Sequence, residues 1–188
     1  MKKNRKTLER QREAYRGVVL IARTFATEVR GKAWCHGQEI AAVAGVSESS
    51  VMALMREHVD NSIVVETAEN SPPYPNAQRY AESLLGHTND LTTKQLAMLR
   101  AHQRAPALAL TGESLAEIAD CTRWSLARAQ YTALGRLLGE SMLFEPLPST
   151  KSSPMWIRMV AHTDNPGEGD QAIWTLRPEL ACALSQVC

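Results

Sequence analysis

The chain has 188 residues, 44% of them apolar and 22% charged, with a formal net charge of +1, the make-up of an ordinary globular protein with room for one or two domains. Its longest apolar runs, Val18–Ala22 among them, are far too short to span a bilayer or to form the core of a signal peptide, so no membrane is expected as a partner. Cys35, Cys121, Cys182 and Cys188 form no CxxC pair and have no ligand spacing with histidine; the expectation is reduced thiols in a cytoplasmic protein, without metal or cofactor.

In chain order, the amino-terminal segment is basic. Residues 1–32 carry ten Lys/Arg against Glu9, Glu13 and Glu28, a net of +7, and residues 33–90 a net of −6. Over residues 7–30, Leu8, Tyr15, Ala22 and Val29 recur every seven positions, with Val18 and Phe25 interleaved. That spacing predicts an amphipathic helix, either the first helix of a module or a short dimer seam, which Gln11 and Lys32 interrupt. Helices are then expected over 38–44 and 48–58, and Ser62–Glu66 has strand character. Residues 67–78, with Asn70-Ser71-Pro72-Pro73, have linker composition. Further helices are expected over 77–85, from Asp90-Leu91-Thr92-Thr93 to Arg104, and over 123–138. Met155–His162 and Gln171–Leu176 have strand patterns around a Pro/Gly-rich loop, Thr163–Asp170, and Pro178 opens a closing helix to about Leu184.

One phrase occurs twice. At an offset of 75, Ala41 and Ala44 align with Ala116 and Ala119, Gly45 with Asp120, Ser47 with Thr122, Ser50 with Ser125, and Val51 with Leu126. A helix–turn–helix needs this pattern. A small residue lets the helices cross, Gly or Asp takes φ > 0 in the turn, Ser or Thr caps the second helix, and an apolar residue packs back. The first copy, with Ile40-Ala41, Ala44-Gly45-Val46-Ser47 and Ser50-Val51, resembles the helix–turn–helix of lac-repressor-type regulators. The second, followed by two strand patterns, resembles a winged helix. The resemblance implies a mainly α fold with a small β-hairpin wing: a first helix–turn–helix in 1–66, a linker over 67–78, and a second, winged one in 79–188.

The expected DNA contacts follow from the motif. In the first module they are Ser47, Glu48, Ser49, Met52 and Arg56, a weakly polar set. In the second they are Thr122, Arg123, Trp124, Ser125 and Arg128. An arginine that makes bidentate bonds to guanine O6 and N7 contributes ~1–3 kcal/mol of base discrimination, which makes the second module the reader. Trp124 either touches a thymine methyl or sugar or buries against the wing. Lys2, Lys3, Arg5 and Lys6 form an arm for phosphate contact; the bland alternative is a solubilising terminus. The wing loop carries Asp164, Glu168 and Asp170, which suit a protein partner or a tip turned away from DNA better than a minor groove.

Catalysis finds no footing. There is no Gly-rich phosphate loop and no His–carboxylate cluster, adjacent residues such as Cys35 and His36 face apart, and Glu113 and Glu117 suit a solvated helix face. The expected function is sequence-specific binding of double-stranded DNA, as in a bacterial, phage or plasmid transcriptional regulator. The alternatives are a non-catalytic component of replication, partition or recombination machinery, and a winged-helix protein-interaction scaffold. A palindromic site would add a homodimer to the partners.

Overall fold

The computed structural model describes residues 10–35, 37–67, 73–148, 154–163 and 166–187. These contain six α-helices and nine strands in an α+β arrangement, which corrects the mainly α expectation. The chain divides between Ile63 and Val64 into two compact units.

The first unit is a four-stranded antiparallel meander, β1 (Arg10–Tyr15), β2 (Val18–Thr24), β3 (Val29–Cys35) and β4 (Gln38–Gly45), in sequential order, followed by α1 (Glu48–Ser62). Arg16 and Gly17, at φ 51° and 78°, join β1 to β2 in the two-residue connection whose central residues both take φ > 0. Val18, Leu20 and Ala22 of β2 and Val29, Ala33 and Cys35 of β3 are buried. They form the inner face with Val51, Met52, Met55 and Val59 of α1. Gly31 of β3 admits the helix, for a Cβ there would lie 2.8 Å from Met55 Sδ.

This unit overturns two expectations. Residues 7–30 form no helix among those described, so the dimer seam falls with it. The seven-residue recurrence of Tyr15, Ala22 and Val29 arises because each faces inward from successive strands. The true period is two, and a strand buried on one face alternates in that way. Residues 38–44 are likewise β4, not a helix, so the first helix–turn–helix is absent. Gly45 lies outside the positive-φ residues; a Cβ there would meet Val51 Cγ2 at 2.9 Å, so close packing rather than a left-handed turn explains the glycine. Ser47 does cap α1, accepting from the Ser50 amide at 3.2 Å.

In the second unit, β5 (Val64–Val65) pairs in parallel with β7 (Phe144–Glu145). Between them come α2 (Ala77–Gly86), α3 (Thr93–Arg104), β6 (Ala109–Thr111), α4 (Gly112–Ile118) and α5 (Trp124–Ser141). After β7 come a 3₁₀ turn over Trp156–Met159, β8 (Ala161–His162), β9 (Ile173–Leu176) and α6 (Pro178–Val187). The order β6-β9-β8 makes a three-stranded antiparallel sheet. Tyr80, Met98, Leu99, Leu115, Tyr131, Leu134 and Leu180 are fully buried in one core.

The strand expected over Met155–His162 is mostly this 3₁₀ turn. Gly135 and Gly139 of α5 explain the difference, because a Cβ at Gly135 would collide with the Trp156 carbonyl and one at Gly139 with the Trp156 ring. The two glycines open a trough on α5 that the 3₁₀ segment fills. Buried Glu66 ties the same segment down, accepting from Arg158 Nη2 at 3.0 Å, the Tyr74 hydroxyl at 2.8 Å and the Leu147 amide at 2.8 Å.

Candidate nucleic-acid interface

The second copy of the repeated phrase folds as a helical hairpin. Thr111 caps α4, accepting from the Ser114 amide at 3.1 Å. The helix ends with Asp120 at φ 49°. The Cys121 amide reaches back to the Ala116 carbonyl and the Asp120 amide to that of Glu117, both at 2.9 Å. These are the two bonds of a Schellman termination, with Asp in the left-handed position that Gly most often fills. The residue preceding α5 is Arg123, which makes no side-chain capping bond; Thr122, expected as that cap, lies one position earlier.

Trp124 turns inward. It is buried, its ring centroid lies 5.1 Å from that of Trp174 at 48°, and Gly112 makes room for it, since a Cβ there would stand 2.8 Å from Trp124 Cγ. Burial is thus the alternative the structure shows, and Trp124 anchors the start of α5. Ala127, Tyr131, Leu134 and Leu138 continue the inward stripe. The opposite face presents Ser125, Arg128, Ala129, Thr132, Ala133 and Arg136 around one shallow depression edged by Trp156. No carboxylate occurs between Ser125 and Arg136; Arg136 pairs with Glu140 at 2.7 Å, one turn on.

Arg123 occupies different ground. The depression it lines is shared with Glu113, Glu117, Asp120 and Asp170, and with Thr122. The leading end of α5 is therefore locally acidic, while its middle is basic. Asp164 of the wing loop lies outside the described residues.

The residues expected to read DNA from the first module are placed otherwise. Met52 is in the core. Arg56 makes a two-pronged pair with Glu13, at 3.0 and 2.6 Å, and that hydrogen-bonded pairing holds the Glu13 carboxyl below its ordinary pKa and raises the guanidinium. Glu48 accepts from Thr24 Oγ1 at 2.7 Å, and Ser47 is a cap. Ser49 is exposed on the first turn of α1. Helix α1 thus backs the sheet with Val51, Met52, Met55 and Val59, and the element before it is strand β4, so the helical hairpin expected to present it does not form. This corrects the first-module expectation.

Lys2, Lys3, Arg5 and Lys6 lie outside the described residues. The rest of the basic segment is not an arm. Arg10 and Arg12 are on β1, Arg23 on β2, and Arg30 and Lys32 on β3, all exposed; only Arg16 lies in a turn, bonded to Asp60 at 2.9 Å. The alternation Arg30-x-Lys32-x-Trp34 against Val29-x-Gly31-x-Ala33-x-Cys35 is the sequence signal that places them. Among the described residues no cluster of His, Cys, Asp or Glu is arranged to hold a metal, and no helix is long and apolar enough to cross a membrane. Family models, curated proteins and solved structures contain no match to this chain.

Proposed function

We propose that the chain is a sequence-specific double-stranded DNA-binding protein in which α5 enters the major groove. The observation that supports this reading is the outward face of α5. Arg128 and Arg136 flank Ser125, Ala129, Thr132 and Ala133 there, and no acid interrupts the run. Small side chains let a helix sit deep in a groove about 12 Å wide, and arginines at its margins reach guanine edges or phosphates. Arg128 is the base reader on this geometry, and Arg123, among four carboxylates, is not. Replacing Arg128 by Ala is expected to cost ~1–3 kcal/mol at a site selected from random duplexes and to relax preference at one base position. Arg123→Ala is expected to cost less. Mobility-shift titrations on the selected and a scrambled duplex check this; equal binding of both duplexes by the wild-type protein would sink the reading.

A second reading has its own observation. Glu113, Glu117, Asp120 and Asp170 around one depression suit a basic protein segment, as in an interaction scaffold. DNA affinity that falls steeply with salt would tell against that reading.

A further inference from the structure

We propose that the outer face of the first unit's sheet is a separate binding site for duplex DNA, docking in the major groove through β1, β2 and β3. The strand register carries the argument. Arg10, Arg23 and Arg30 are direct cross-strand partners, with Ala44 beyond them on β4. Two residues along, Arg12, Ile21, Lys32 and Ala42 form a second row. Ala14, Val19 and Trp34 form a third. Side chains two apart on a strand share a face, so five cations from three strands stand on one surface. Helix α1 covers the other surface, packing on β2 and β3 with Val51 and Met55 against Gly31. Among the described residues of this unit no helix lies on the outer face.

Dimensions and chemistry fit a duplex. The axes of three adjacent strands span about 10 Å and successive rows stand roughly 6.6 Å apart, so two strands fill a major groove about 12 Å wide while the cations of the third face the phosphates at its rim. Glu28 and Glu39 hold two of the cations in place, Arg30 Nε at 2.6 Å from Glu28 and Lys32 paired with Glu39. Arg10, Arg12 and Arg23 have no ion pair among the described residues and are available to phosphates or guanine edges. Ile21, between Arg12 and Lys32, suits a thymine methyl. Ala42 and Ala44 leave the β4 side low. A single strand is the weaker candidate because stacking needs open ring faces. Here Lys32 Nζ lies 5.6 Å from the Trp34 ring centroid and Arg30 Cζ 5.4 Å from that of Phe25.

The test uses the full chain with Arg12→Gln/Arg23→Gln, compared with the charge-matched Arg100→Gln/Arg104→Gln on α3. All four positions are exposed, so folding is preserved; far-ultraviolet dichroism verifies it. The probe is a fluorescent random-sequence duplex, titrated over a range of salt, in the wild-type and in the Arg128→Ala backgrounds. The sheet variant is expected to flatten the salt dependence by about 0.9 log–log units per lost contact, roughly eightfold in affinity per contact at 0.1 M salt. It should do so in both backgrounds, which separates this site from α5. The proposal is overturned if the α3 variant loses as much, since net charge alone then acts. Unchanged affinity and slope in the sheet variant also overturn it, as does tighter binding of the separated single strand than of the duplex.

Discussion

At the scale of single residues, the tightest constraint in the first unit is the missing side chain at Gly31. Its Cα faces α1, and a methyl group there would press on Met55 Sδ and Cε at 2.8 and 2.9 Å and overlap Val51 Cγ1. The backbone at Gly31 is ordinary strand, so the reason for glycine is space, not conformation. Gly31→Ala is expected to destabilise the unit by about 1–3 kcal/mol, the usual cost of overpacking. Denaturant titration checks the value. A double-mutant cycle checks the cause: Gly31→Ala with Val51→Ala should cost less than the sum of the two single changes, because the alanine at 51 vacates the methyl that the new Cβ strikes. Additivity would place the damage elsewhere.

At the scale of elements, α3 is joined to α5 and β9 through one buried histidine. His102 Nε2 donates to the Trp174 carbonyl at 2.8 Å, and Nδ1 accepts from the Tyr131 hydroxyl at 3.2 Å. Burial lowers the pKa of the ring below its ordinary 6.5, against the opposing effect of backbone hydrogen bonds at Trp174 and Leu108. A depressed folded-state pKa means the unfolded chain binds the proton more readily. The contribution is therefore complete above pH 6.5 and is lost as pH falls through the folded-state value, at a rate of at most about 1.4 kcal/mol per pH unit. Melting of the second unit should drop on acidification from neutral pH. In His102→Gln, which keeps a donor for Trp174, that drop should shrink; an identical pH profile would assign it to other groups.

The same scale shows what the sequence reveals and where it misleads. In the second unit the helices from Ala77 onward and the hairpin around Asp120 are legible because their signals are local: caps at Asn76, Thr92 and Thr111, and one acidic residue where a left-handed turn is needed. The first unit misleads because two periods coincide. The residue count of the β1–β2–β3 meander puts Tyr15, Ala22 and Val29 seven apart, which imitates a heptad, while the alternation of Val18, Leu20 and Ala22 is shorter and easily passed over. The motif around Gly45 and Ser47 misleads for a related reason. A cap serine followed by a packing valine is needed wherever a helix starts, whether a helix or a strand precedes it. Strand β6 and the 3₁₀ segment on α5 depend on partners far along the chain, Trp174 and Gly135, so no local pattern shows them.

At the scale of the whole molecule, each unit carries its own core. Fragments 1–63 and 64–188 are accordingly expected to fold when expressed apart, the first with a dichroism spectrum of mixed strand and helix. The shorter fragment should be the less stable, since a chain of about 60 residues buries a smaller share of its surface. A disordered spectrum for 1–63 would show that its sheet depends on the remainder of the chain.

The register of the first sheet also sets what the protein can tolerate as it changes. Outward and core residues alternate along β2 and β3, Val19, Ile21 and Arg23 on the one and Arg30, Lys32 and Trp34 on the other, so substitution at an outer position alters the outer surface alone. Adding or deleting one residue within a strand exchanges the two faces beyond that point. An extra residue after Ile21, for instance, would carry Arg23 into the space under α1 and push Ala22 into solvent. The permissive places for length change are the connections, such as 25–28, where the Phe25 amide bonds the Glu28 carbonyl at 2.8 Å. Descendants of this chain should therefore differ in the lettering of their strands and in the length of their turns, and hardly ever in the length of the strands themselves.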